Sequence, residues 1–274
     1  MPEGPETKRM ADILFKNLVG FEIINSQLLH PDLKKIKNDS NLIIKDVFSR
    51  GKAIIIRLEN GQSIITHNQL YGKWTSHHLT TKINHNRVLR IEFCTKKKAI
   101  RLWSATNIKV LNTSNESEHP YLSKIGPDIL DKKTSPETIL NRLISKKFIN
   151  RSFSSILLDQ SFISGLGNYL RSEILFFSKL NHTLKSSLLT LEENKVLCLF
   201  IKKVSLQAYK QKGQTLDLNY IKNNFGNINN FKKIKHMVFR RDGLPCFNCG
   251  TLILKVIISA RPIFICSSCQ KFNL

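Results

Sequence analysis

The sequence predicts an α+β fold in two lobes: an N-terminal antiparallel β-sandwich or barrel opened by a helix, and a C-terminal helical lobe closed by a metal-stapled β-hairpin. Three observations carry this expectation. Short β-branched runs occupy residues 21–112, helical periodicity takes over beyond about 135, and two CxxC pairs stand near the C-terminus. A chain of 274 residues accommodates two lobes, each with its own core and a cleft between them.

The elements follow in order. Met10, Ile13, Leu14 and Leu18 recur at helical spacing and Gly20 follows as a stop, so a helix is expected over 5–19. Strands are expected at 42–48, 53–58, 63–66, 88–93, 99–103 and 108–111, with Asn60-Gly61 as a two-residue hairpin signal. The polar run at 112–120 and Gly126-Pro127 mark a linker between about 113 and 134. Ser135-Pro136 caps a helix carrying Ile139, Leu140, Leu143 and Ile144, and Thr190 with Glu193 forms a capping box before a long helix ending near Gly213. Residues 214–235 are rich in Asn and Lys with weak periodicity, as expected of a mobile loop.

Composition narrows the partner. The formal charge of +23, from 43 Lys+Arg against 20 Asp+Glu, points to a polyanion, nucleic acid first, although heavy use of Lys, Asn and Ile throughout also fits an AT-rich coding bias. No run approaches the ~20 apolar residues of a membrane span, and MPEGPE lacks the regions of a signal peptide, so a soluble, intracellular protein is expected. In a reducing compartment Cys246-x2-Cys249-x16-Cys266-x2-Cys269 reads as one zinc site with four thiolates. A closed shell of this kind stabilises a hairpin rather than activating water, and it would carry Arg261 and Pro262 near the hairpin tip. Isolated Cys94 and Cys198 read as buried small hydrophobes.

Four further segments bear chemistry. Removal of Met1 exposes the secondary amine of Pro2, whose pKa should be near the α-amino value of about 7.7–8.0. Such an amine attacks an electrophilic sugar carbon to give an iminium ion, with Glu3 and Glu6 beside it as acid and base; the same composition also suits an ordinary frayed tail. Ser164-Gly165-Leu166-Gly167-Asn168-Tyr169 lies between apolar helical runs, and reads either as a plain interhelical turn or as a helix start holding a phosphate with the Asn168 amide. Gln69, Leu70 and Tyr71 follow a strand and precede Gly72, so they form either an exposed wedge for a base stack or a loop tucked into the core, and Lys52 sits in a basic Arg50-Gly51-Lys52 turn.

Taken in order, MPEGPE at 1–6, RGKA at 50–53, HNQLYG at 67–72, GPD at 126–128, LLDQ at 157–160, GLGNYLRSEIL at 165–175, RRDGLPC at 240–246 and the cysteine knuckles resemble the formamidopyrimidine-DNA glycosylase and endonuclease VIII family nearly end to end. The resemblance implies a catalytic domain over 1–120, a linker over 121–134, a helical domain with a helix–two-turn–helix over 135–236 and a zinc finger over 237–271. It implies a bifunctional glycosylase and lyase: Pro2 as Schiff-base nucleophile, Glu3 as proton donor, Glu6 as supporting acid, Lys52 tied to β-elimination and Arg261 to δ-elimination. By the same match Gln69, Leu70 and Tyr71 fill the duplex gap, Asn168 contacts phosphate, and Lys124 stands where an arginine phosphate contact is expected. The implied partner is damaged double-stranded DNA, met by a monomer in the bacterial cytoplasm at the nucleoid, with one structural zinc. Gly4 and the 69–71 tip favour the branch acting on oxidised pyrimidines; the alternatives are an oxidised-purine glycosylase of the same family and a non-catalytic zinc-ribbon DNA-binding protein.

Overall fold

A computed structural model describes residues 2–36, 42–216, 223 and 235–270. The Asn- and Lys-rich stretch expected as a mobile loop lies mostly outside these described residues. The chain divides into two compact units, residues 1–124 and 125–274.

The first unit opens with α1 (Gly4–Leu18) and continues through eight antiparallel strands: β1 (Asn25–Leu28), β2 (Ile44–Arg50), β3 (Ala53–Leu58), β4 (Gln62–His67), β5 (Lys73–His78), β6 (Leu89–Cys94), β7 (Lys98–Trp103) and β8 (Asn107–Asn112). They form two sheets of four, ordered β1-β6-β7-β5 and β2-β3-β4-β8. Ile54, Ile56 and Ile64 from one sheet meet Trp74, Phe93, Ile100 and Leu102 from the other, with Leu14 and Leu18 of α1 in the same core. The sandwich is therefore the expected one. Ile55 and Ile65, register partners on the opposite face of β3 and β4, are also fully buried, which is why residues 53–56 read as a continuous apolar run rather than an alternating one.

Two strands escaped the sequence reading, and both are edges of the first sheet. Asn25–Leu28 and Lys73–His78 each pair on one side only and carry few apolar residues, since an edge strand has little core to face and polar side chains guard its free backbone. Asn60-Gly61 does mark a hairpin, but not a two-residue one. Arg57 pairs with Ser63, Gly61 takes φ 78 and its amide returns to the Leu58 carbonyl, the pattern of a type I turn closed by a glycine bulge.

The polar stretch at 113–120 is packed rather than slack. Thr113–Glu118 forms a 3-10 turn in which the Glu116 carboxylate receives two bonds from Arg57, at 2.8 and 2.7 Å, and one from Ser63 at 2.6 Å. Those donors hold the Glu116 carboxyl below its ordinary pKa against the upward push of burial.

The second unit comprises α2 (Pro136–Leu143), α3 (Phe153–Ile156), α4 (Asn168–Phe177), α5 (Leu191–Lys210) and the hairpin of β9 (Leu254–Ile258) and β10 (Arg261–Ile265). The Ser135 side chain caps α2 by accepting from the Thr138 amide, and the expected Thr190–Glu193 capping box starts α5. Ile139 and Leu143, Leu170 and Ile174, and Leu197 and Ile201 share one core, to which β10 adds Ile263 and Ile265. The metal-hairpin segment is thus seated on the helices by its own apolar residues. Cys94 and Cys198 are buried as expected, and burial pushes the Cys198 thiol up to about 12. No helix among the described residues is long and apolar enough to cross a membrane.

Candidate active site and nucleic-acid interface

Residues 3–7 are anchored, not frayed. Pro5 lies in the first turn of α1, where a missing N–H costs nothing. Glu3 is the extended N-cap: its carboxylate takes the Glu6 amide, while the Glu6 Oε2 accepts from the Glu3 amide at 3.0 Å. Both the amide and the hydroxyl of Thr7 donate to the Glu3 carbonyl, at 3.0 and 2.9 Å. Glu3 is consequently buried at 4% exposure, and Pro2 directly precedes this N-cap, next to the capping box that the Glu3 and Glu6 carboxylates form.

Lys52 occupies the two-residue turn between β2 and β3, where Arg50 pairs with Ala53 and Gly51 supplies φ 59. Though a lysine in a turn, it is buried. Its amide donates to the Tyr121 hydroxyl at 2.8 Å, and the Tyr121 ring meets His67 edge-on with centroids 4.9 Å apart. Burial first, then the nearby charges of Lys52 and His119, lowers His67 to about 4, so this ring is neutral throughout the physiological range.

His67 also begins the tip. Its Nδ1 accepts from the Gln69 amide at 3.1 Å, and the Thr106 hydroxyl donates to Gln69 Oε1 at 2.9 Å. These bonds support Gln69 at φ 47, a left-handed conformation that costs a non-glycine residue about 1–2 kcal/mol. Arg87 donates to the Tyr71 carbonyl, and Gly72 folds so tightly onto residue 68 that a Cβ would lie 2.6 Å from the Asn68 carbonyl oxygen. The rigid loop leaves Leu70 and Tyr71 71% and 70% exposed, two large side chains with no core to fill. Lys124 is exposed near the end of this unit, its amide bonded to the Tyr121 carbonyl at 3.2 Å.

In the second unit Gln160 builds the glycine turn. Its amide donates to the carbonyls of Leu158 and Leu166, at 3.0 and 2.9 Å, and its Oε1 accepts from Gly165 at 3.1 Å. Gly165 takes φ 97 and Gly167 caps α4, so Asn168 is the first helical residue. Arg171, 1% exposed, donates to Asn168 Oδ1 at 2.7 Å, to the Ser154 carbonyl at 2.8 Å and to the Pro262 carbonyl at 3.0 Å. A single buried guanidinium therefore orients the Asn168 amide and locks the hairpin beside Arg261. Arg261 is exposed and follows Ser259 and Ala260, which turn the hairpin at φ 48 and 61.

The four cysteines converge. Thiolates about 2.3 Å from a tetrahedral ion stand about 3.8 Å apart. Here Cys249 and Cys266 Sγ atoms are 3.4 Å apart, those of Cys246 and Cys269 3.8 Å, and all four lie within 4.8 Å of one another. The residues fit one ion of that geometry.

Glu3, Glu6, Lys52 and the 69–71 tip belong to the first unit, and Asn168, Arg261 and the cysteines to the second. Sequence reading missed the residues that hold these groups in place: His67 and Arg171, which stand inside quoted motifs but away from their obvious chemistry, and Tyr121, hidden in a segment read as linker.

Comparison with known proteins agrees with this architecture. Residues 1–105 match the formamidopyrimidine-DNA glycosylase N-terminal domain, and residues 125–219 the formamidopyrimidine-DNA glycosylase H2TH domain. An Endonuclease 8 of Escherichia coli is 38% identical over 273 residues, covering 98% of this chain and 100% of the relative; that of Salmonella arizonae is 37% identical, covering 99% and 100%. Among solved structures, the Lactococcus lactis formamidopyrimidine-DNA glycosylase bound to DNA containing an abasic site superposes with a TM-score of 0.78 at 20% identity, covering 98% of this chain and 100% of that one. The same enzyme with DNA containing an oxidised pyrimidine gives 0.80 at 20%, covering 99% and 100%. With both domains matched and near-complete relatives at this identity, the chain belongs to the formamidopyrimidine-DNA glycosylase and endonuclease 8 family of base-excision DNA repair enzymes.

Proposed function

We propose that this chain excises oxidised pyrimidines from duplex DNA and breaks the strand by β,δ-elimination through a Schiff base on Pro2. The observation that carries the reading is the capped start of α1, where Glu3 is buried as N-cap and Pro2 directly precedes it at the positive end of the helix. That end of the helix disfavours an added positive charge, which favours the neutral, nucleophilic amine once Met1 is removed. The amine attacks C1′ as Glu3 gives a proton to the departing base, with Glu6 supporting the cap. The resulting iminium acidifies C2′–H. Loss of that proton breaks the C3′–O bond in the step assigned to Lys52, and a second elimination at C5′, assigned to Arg261, completes strand scission.

Leu70 and Tyr71, with Gln69, are the wedge that occupies the gap left by the extruded nucleotide. Lys124 and the amide nitrogen of Asn168 take phosphates. Zinc on Cys246, Cys249, Cys266 and Cys269 would hold the hairpin, with no ligand position left for chemistry.

A set of duplexes, each with one defined site, tests the reading. Cutting should be fastest at an oxidised pyrimidine and at an abasic site; preference for an oxidised purine moves the chain to the other branch, and an uncut abasic duplex leaves only a DNA binder. Leu70→Ala should leave stability within about 0.5 kcal/mol, as expected of an exposed side chain. It should nonetheless slow lesion processing in duplex more than in single strands, because only the duplex has a stack to fill. Equal slowing on both substrates would remove the wedge role.

A further inference from the structure

The Tyr121 hydroxyl is the acceptor for the backbone N–H of Lys52, 69 residues away in the chain, at 2.8 Å. A buried amide in a tight turn needs such a partner, and the residue it belongs to is the one assigned to β-elimination. The phenol is itself presented in a set direction. The Tyr121 amide donates to His119 Nδ1 at 3.2 Å, its carbonyl accepts from Lys124 at 3.2 Å, and its ring is braced by the edge of His67 at 4.9 Å. His119, 1% exposed, cannot swing away, and burial lowers its pKa so that Nδ1 is available as an acceptor.

We propose that Tyr121 is a positioning residue for strand cleavage, its hydroxyl holding the Lys52 turn so that the ammonium group meets the breaking C3′–O bond. The phenol acts through the backbone of Lys52, and the proposal rests on Lys52 serving the elimination. Because Pro2 precedes the N-cap of α1 and is not part of this turn, formation of the Schiff base is independent of Tyr121 while its breakdown is not.

Tyr121→Phe removes the acceptor and keeps the ring against His67. Single-turnover nicking of a preformed abasic duplex should fall about fivefold, the effect of one neutral hydrogen bond. Borohydride trapping at Pro2 and the Kd for the same duplex should be unchanged, whereas damage to the whole site would lower trapping and nicking together. Parental nicking by Tyr121→Phe, or equal loss of trapping and nicking, overturns the proposal. Lys52→Gln is run alongside: if it nicks at the parental rate, the assignment of Lys52 has failed and the role of Tyr121 falls with it, whereas a slow Lys52→Gln beside a fast Tyr121→Phe sinks the positioning role alone. Amide exchange on the unmodified protein gives a check that needs no variant, since the Lys52 N–H should be protected and an unprotected one contradicts the bond.

Discussion

Acylating the amine of Pro2, by chemical modification, an N-terminal tag or a retained Met1, is expected to reduce nicking of an abasic duplex to background and to abolish the borohydride-trapped protein–DNA crosslink. An acylated nitrogen has no lone pair to give C1′, so no iminium forms and neither base loss through the enzyme nor elimination can follow. DNA affinity should change little, because the wedge and the phosphate contacts are elsewhere on the chain. In the free-amine enzyme the crosslink should map to Pro2. Glu3→Gln should separate the two halves of the reaction: the amine survives, the proton for the leaving base does not, and excision of an intact damaged base should slow more than nicking at a site already abasic. The glutamine can still cap α1 through its side-chain oxygen, so the helix should persist. Full trapping and nicking by protein with a blocked N-terminus would transfer the nucleophile to a lysine, and Lys52 would be the first to test.

Cys249→Ser is expected to be the next most damaging change, although no thiolate takes part in chemistry. Structural zinc sites of this kind contribute about 10–16 kcal/mol at neutral pH. Loss of one of four ligands should leave the hairpin without its staple, held only by apolar packing: Ile263 and Ile265 against the helices, and Val238, Ile253 and Phe264 in a second cluster. Metal analysis should find about one zinc per chain in the parent and much less in the variant. Pro262 would then no longer accept from Arg171, leaving a buried guanidinium short of a partner at a cost of about 1–3 kcal/mol. Strand cleavage should fall more than tenfold, and what remains should stop at the β-elimination product, because Arg261 follows the hairpin tip. A variant that keeps its δ-product, or a reduced parent without zinc, would refute this account.

A histidine that stays neutral with a pKa of about 4 and a tyrosine inside a polar run illustrate where sequence reading ends. The helical and strand periods were legible because burial repeats with the geometry of each element, and so were the capped starts of α2 and α5, which depend on residues three apart. The cysteine knuckles were legible because metal geometry limits their spacing. The sequence by itself therefore determined the fold class, the order of most of the elements and the cysteines that converge, which sit in short motifs. Tertiary structure decided the rest: that Asn25–Leu28 and Lys73–His78 are strands at all, that the turn after β3 is a bulged three-residue loop, and that the 113–120 stretch is bound down by Glu116. It alone showed that Tyr121 holds Lys52 and that Arg171 joins Asn168 to the Pro262 carbonyl 91 residues from it. Edge strands answer to their neighbours and carry little pattern of their own, and a hydrogen bond between distant residues leaves no periodicity in the chain, because the partner is set by how whole elements pack.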